Sequence, residues 1–194
     1  MTRMYLSVFV YICVRLIMRH IDMKQIILIL ATLCALLCTT GCIKDKVEGA
    51  DLKVGDRLPG FSVVMNDGTI VSDESLKGSV SCVMFFNTSC PDCQRTLPEV
   101  QQVCNEFASK GVLFALISRE QTAVLVESYW TERGYDMPYS AQSDRTVYNK
   151  FATSRIPRVY ICDKDGIIRY IYTDDPTPTY ENLSDSIKSL LSRR

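Results

Sequence analysis

From residue 53 onward the apolar residues fall into short blocks separated by turn-prone residues, and the blocks alternate between two periods. Phe61 to Met65 and Thr69 to Val71 flank Asn66-Asp67-Gly68, which predicts a β-hairpin. Asp73 to Gly78 reads as a turn or a single helical turn. Val80 to Phe86 (VSCVMFF) and Val112 to Ser118 (VLFALIS) are apolar runs of the kind expected of strands buried on both faces. Between them the period changes to that of a helix over Pro91 to Lys110. Gly111 stops this helix and Pro98 lies inside it, where a kink is expected. Thr122 to Arg133 predicts a second helix, ended by Gly134, and Asp144 to Phe151 a short third one. Arg158 to Asp163 and Ile167 to Tyr172 read as strands joined by Lys164-Asp165-Gly166. Tyr180 to Ser192 closes the chain with leucines and an isoleucine at helical spacing. The order predicts an α/β fold: a central mixed sheet with helices on both faces and an N-terminal hairpin extension.

Composition narrows the function. The chain has 194 residues with 22 basic and 22 acidic side chains, so no basic field points to nucleic acid. Its single histidine is His20. From residue 42 on there is therefore no histidine base, no Cys–His pair and no histidine-containing zinc site. No metal or other cofactor is expected.

Residues 1–41 form a separate block. It carries Arg3, Arg15, Arg19 and Lys24 against one acid, Asp22, and the remainder is left mildly acidic. Ile26 to Cys38 (IILILATLCALLC) is too short to span a bilayer, which needs about 20 residues, and suits the apolar core of a signal peptide. Met23-Lys24 would make a compact start for it. Thr39-Thr40-Gly41-Cys42 resembles the lipobox of bacterial lipoproteins, with Thr39 in place of the usual leucine. That resemblance implies cleavage before Cys42 and lipid on its thiol. A plain secretory cleavage site and an uncleaved anchor are the alternatives. Residues 42–52 would then be a tether, and 53–192 the folded domain.

The chemistry lies in Cys90-Pro91-Asp92-Cys93, where the strand Val80–Phe86 turns into a helix. A cysteine at a helix N-terminus meets orphan N–H groups and the positive end of the macrodipole, which favour the thiolate. A second cysteine three residues on can reach the first sulfur and resolve a mixed disulfide. Pro91 is tolerated in the first turn. Half a zinc site would need a second pair of ligands that the chain lacks. A purely structural bridge would close a tiny loop and stabilise little. A redox-active Cys90–Cys93 disulfide is the expectation.

With Pro98 five residues after Cys93, and Ile156-Pro157 opening IPRVYICDKDGII, residues 53 to 192 resemble thioredoxin-like proteins. Within that superfamily they are most similar to the TlpA/ResA group of membrane-anchored bacterial thiol–disulfide oxidoreductases. The resemblance implies a thioredoxin-like fold, Cys90 as nucleophile and Cys93 as resolving thiol. It also implies that Pro157 is a cis-proline, with Ile156 offering its backbone to a bound client strand. Client proteins with cysteines or disulfides, and a membrane electron donor, are the partners it implies. It places the protein in the cell envelope, facing the periplasm or the outside.

Three departures matter. Ser89 stands where the family has Trp, and Met84 where thioredoxins bury an Asp. Thr96 stands where the TlpA/ResA group often has Glu. Water, Asp92 or Glu99 is left to take the proton of Cys93. Arg95, Arg155 and Arg158 either ring the dithiol or are solvated surface charges, and the second is the expectation. Tyr129, Trp130, Tyr135 and Tyr139 are expected to pack in the core, as are Cys82, Cys104 and Cys162. A peroxiredoxin-like thiol peroxidase is disfavoured by CxxC, and a copper-delivery protein by the missing histidine. A non-catalytic accessory lipoprotein is the remaining alternative.

Overall fold

A computed structural model describes residues 51–193. The leader, Cys42 and most of the tether lie outside the described residues. Asp51 and Leu52, read from the sequence as the tether's end, already belong to the packed chain. Leu52 is buried and its N–H donates to the Phe151 carbonyl.

The described elements are β1 (Ser62–Val64), β2 (Ile70–Ser72), α1 (Asp73–Leu76), β3 (Ser81–Phe86) and α2 (Pro91–Phe107). They continue with β4 (Leu113–Ser118), α3 (Ala123–Arg133), β5 (Tyr139–Ser140), β6 (Arg158–Cys162), β7 (Ile168–Tyr172) and α4 (Tyr180–Leu191). The main sheet has the order β5-β4-β3-β6-β7. β3 pairs parallel with β4 and antiparallel with β6, so the apolar run 81–86 sits at the centre and is buried along its whole length. β1 and β2 form a separate hairpin in the register Val63↔Val71.

Strand alternation sends β3 side chains to two cores. Cys82, Met84 and Phe86 pack with Leu97, Val100 and Val103 of α2, Trp130 of α3, and Leu183 and Ile187 of α4. Val83 and Phe85 pack on the opposite side with Phe61 and Val63 of the hairpin segment, Leu76 of α1, Tyr148 and Phe151. All three long helices thus contribute to one core. The single-turn α1, the hairpin and the 148–152 turn cover the other face.

Two features depart from the sequence expectation. β5 is a two-residue strand parallel to β4, too short to leave a periodic signal. The helix expected over 144–151 is reduced to a 3-10 turn at Tyr148–Lys150. Asp144 Oδ1 accepts the Thr146 N–H at 2.8 Å, a local turn that competes with helix formation. As expected, α2 continues past Pro98, to Phe107, where the proline cannot donate to the Gln94 carbonyl.

Candidate active site

Cys90 is the N-cap of α2, with extended backbone (φ −85°, ψ 120°), and Pro91 opens the helix. The Cys90 N–H donates to the Asn87 carbonyl, and the Cys90 carbonyl accepts the first helical bond from Gln94. Its sulfur therefore stands at the mouth of the helix, half-buried, beside the N–H groups that lack helical partners. Cys93 follows one turn later and is fully buried in the α2 core. Both thiols are free, the reduced form of the pair. Burial holds the Cys93 thiol well above its ordinary range. The Asn87 backbone N–H opposes this, while Cys90 and the Asp92 carboxylate add to it.

The peptide bond Ile156–Pro157 is cis, as the resemblance implied. The Cys90 Sγ donates to the Ile156 carbonyl at 3.6 Å, so two segments 66 residues apart in sequence meet at the Cys90 sulfur. Sequence-predicted Cys90, Cys93, Pro91, Ile156 and Pro157 are thus assembled at one end of the sheet. Asp92 is partly exposed and forms an ion pair with Arg95. Pro98 lies on the exposed side of α2.

Several residues that sequence reasoning left out fix this geometry. The loop before Cys90 is tied at every residue. Asn87 Nδ2 donates to the Arg119 carbonyl at 3.1 Å, and Asn87 Oδ1 accepts the Ser89 N–H. Thr88 N–H donates to Gln121 Oε1 at 2.8 Å, and Gln121 Nε2 donates to Thr88 Oγ1 at 2.6 Å. Gln94 Nε2 donates to the Thr88 carbonyl.

The loop before Pro157 is held as firmly. The Tyr148 hydroxyl lies against the carbonyls of Ser154 (2.6 Å) and Arg155 (2.5 Å). Asp51 Oδ1 accepts from both the N–H and the hydroxyl of Thr153. The signal for these residues is positional. Arg119 to Gln121 follow the C-terminal end of a central strand, where sites gather in α/β folds.

The three arginines are all paired. Arg158 is buried and bridges to Asp51, so for this residue the solvated reading is corrected: the carboxylate, with the Ser154 carbonyl accepting from Nε, makes its burial tolerable. Arg155 faces Asp174 at 3.6 Å. Thr96 is buried and donates to the Asp92 carbonyl, and Glu99 accepts the Tyr180 N–H at the start of α4. Glu99 is therefore committed to capping α4. Trp130 and Tyr139 pack in the core, with Trp130 5.0 Å from Phe86.

Residues 54–171 match the AhpC/TSA family. The chain belongs to that family. It is 24% identical over 141 residues to the thiol–disulfide oxidoreductase ResA of Bacillus thuringiensis (strain Al Hakam), covering 73% of this chain and 80% of that protein. Among solved structures it is similar to a thiol:disulfide interchange protein of the thioredoxin family from Chlorobium tepidum TLS. The TM-score is 0.62 at 26% identity, covering 74% of this chain and 100% of that one. The thioredoxin domain of a thiol–disulfide oxidoreductase from Bacteroides vulgatus gives a TM-score of 0.62 at 19% identity, covering 72% and 98%. The fold is thioredoxin-like, and the protein is a thiol–disulfide oxidoreductase of the ResA type.

Proposed function

We propose that this oxidoreductase is an exported disulfide reductase in which Cys90 attacks and Cys93 resolves. The observation that carries the reading is the asymmetry of the pair. Cys90 is half-exposed at the helix mouth against the Ile156 carbonyl, while Cys93 is buried and held protonated one turn in.

The Cys90 thiolate attacks one sulfur of a client disulfide. The client S–S bond breaks, a Cys90–client bond forms, and the first client sulfur leaves as a thiolate that takes a proton from solvent. Cys93 then attacks Cys90 Sγ and expels the second client sulfur. Thr96 and Glu99 are engaged elsewhere, and in this reading the departing client thiolate takes the Cys93 proton. The client gains two electrons and two protons, and the Cys90–Cys93 disulfide is left for a membrane dithiol donor to reduce.

Residues 1–41 supply the export signal in this reading, and lipid on Cys42 holds the domain at the membrane. The short apolar run and the small residues before Cys42 support it.

The test is insulin reduction with dithiothreitol as donor. Wild type should precipitate the insulin B chain, and Cys90→Ser should not. A wild type that consumes hydrogen peroxide but leaves insulin intact would favour the peroxidase reading. Cys42→Ser should release the protein from membranes or block its processing. An unchanged membrane fraction and mature N-terminus would remove the lipid anchor from the proposal.

A further inference from the structure

The loop that presents Cys90 is braced from outside as well as from within. Asn87, Thr88 and Ser89 connect β3 to α2 outside any regular hydrogen-bond ladder, and three of the bonds that fix them come from the chain that follows β4. Gln121 supplies two of them. Its side chain is 4% exposed, and both ends of its amide are used on one residue. The oxygen takes the Thr88 main-chain N–H, and the nitrogen gives to the Thr88 hydroxyl. Thr88 is itself buried, so without Gln121 an N–H and a hydroxyl would face the interior without partners.

The backbone that aims Gln121 is in turn constrained. Glu120 has φ +57°, a left-handed conformation that is uncommon for a residue other than glycine. The Glu120 N–H donates to the Asp144 carbonyl, and the Gln121 N–H to the Gln142 carbonyl. The strained turn is thus held at two points by the 142–144 segment, and it directs the Gln121 amide back toward the dithiol loop. Among the described residues the other non-glycine with positive φ is Arg155 (φ +68°), in the loop just before Ile156. Glu120 lies in the segment that braces the Cys90 loop, and Arg155 in the loop that presents Ile156.

The same tripeptide also reaches the second loop. The Arg119 guanidinium lies 4.5 Å over the ring of Tyr148, whose hydroxyl lies against the carbonyls of Ser154 and Arg155. The Arg119 carbonyl accepts from Asn87. One short segment therefore touches both sides of the site.

We infer that Gln121 is a positioning residue of the oxidoreductase: by locking Thr88 it sets where Cys90 Sγ stands between the first turn of α2 and the Ile156 carbonyl. The inference rests on the reading of Cys90 as the nucleophile. The physical reason is geometric. Thiolate stabilisation by a helix N-terminus falls off within the first turn, and small displacements of a reacting group cost rate steeply. Gln121 touches neither sulfur in this role; it acts through Thr88.

The test compares Gln121→Leu, similar in size but without hydrogen bonds, with Thr88→Val and Thr88→Ser. Reduced proteins are alkylated with iodoacetamide at pH 7, Cys90 labelling is followed by mass spectrometry, and insulin reduction is measured for kcat and KM. Gln121→Leu should slow Cys90 alkylation and lower kcat by roughly tenfold while KM changes less than twofold. Thr88→Val, which loses only the hydroxyl bond, should fall between, and Thr88→Ser should restore the wild-type rate.

If Gln121→Leu does not fold, Thr88→Val against Thr88→Ser carries the same comparison. Wild-type alkylation rates and kcat in both Gln121→Leu and Thr88→Val, or in Thr88→Val alone when the leucine variant is not folded, would overturn the inference. Cys90→Ser run alongside separates the two failures. If it still reduces insulin, the nucleophile assignment is wrong. If it is inactive while the Thr88 and Gln121 variants are normal, only the positioning role fails.

Discussion

Cys90 Sγ lies 3.6 Å from the carbonyl oxygen of Ile156, so the first thiol of the pair and the residue before the cis-proline share one contact. Cys93, three residues on, is shut inside the α2 core. This inequality predicts the order of modification. Near neutral pH a small alkylating reagent should label Cys90 first and leave Cys93 largely unreacted. Cys93→Ala should accumulate mixed disulfides on Cys90, visible as bands lost on reduction. Faster labelling of Cys93 in the folded protein would reverse the roles.

Tyr148→Phe tests the other side of the site. It removes the hydroxyl that meets the Ser154 and Arg155 carbonyls but keeps the ring beneath Arg119 and Arg145. A net loss of about 1 kcal/mol is expected, or a fall in Tm of about 2–4 °C. The loop that displays Ile156 should loosen, raising KM for insulin several-fold while iodoacetamide labelling of Cys90 stays at the wild-type rate. An unchanged KM would show that this loop does not engage the client.

The sequence made the central strands and long helices legible because each is a sustained pattern with a clear stop. VSCVMFF and VLFALIS became β3 and β4, and Gly111 and Gly134 take left-handed conformations where the chain leaves its helices. β5 left no trace because its two residues are extended only by pairing with β4. The dithiol and Ile156-Pro157 were legible as motifs. Gln121 and Tyr148 were not: a glutamine after a strand and a tyrosine in a turn acquire roles only through tertiary contacts. From sequence Arg158 reads as solvated for the same reason, since its partner Asp51 lies 107 residues away.

Asp92 provides a prediction about redox poise. Its carboxylate lies beside the buried Cys93 and helps hold that thiol protonated. A negative charge near an active-site sulfur disfavours a thiolate there by repulsion. A less stable thiolate makes the reduced form less stable and lowers the potential. Arg95 pairs with Asp92 and offsets part of this, and solvent screens the rest. Asp92→His should therefore raise the potential by an amount on the order of 30 mV, measured by equilibration with glutathione. Arg95→Ala should lower it. A downward move in Asp92→His would contradict the electrostatic account.

The buried thiols predict how the reduced protein responds to alkali. Burial pushes the Cys104 thiol up to about 11, with the Asp136 carboxylate adding to it. Burial likewise pushes Cys162 up to about 12, with Ser81 opposing and Asp163 adding. Cys82 and Cys93 are raised further, again mainly by burial. In the unfolded chain a thiol ionises near pH 8.5.

Because each folded value lies above the unfolded one, the stability these groups contribute is complete below about pH 8.5. It is lost as pH rises toward the folded values, at about 1.4 kcal/mol per pH unit for each thiol. Urea unfolding of the reduced protein should show a steady loss of stability from pH 8.5 to 9.5. Closing the Cys90–Cys93 disulfide removes Cys93 from the set, so the oxidised protein should lose less over the same range. Equal slopes in the two forms would mean that Cys93 is not held protonated by the fold, and the asymmetry assigned to the pair would fail with it.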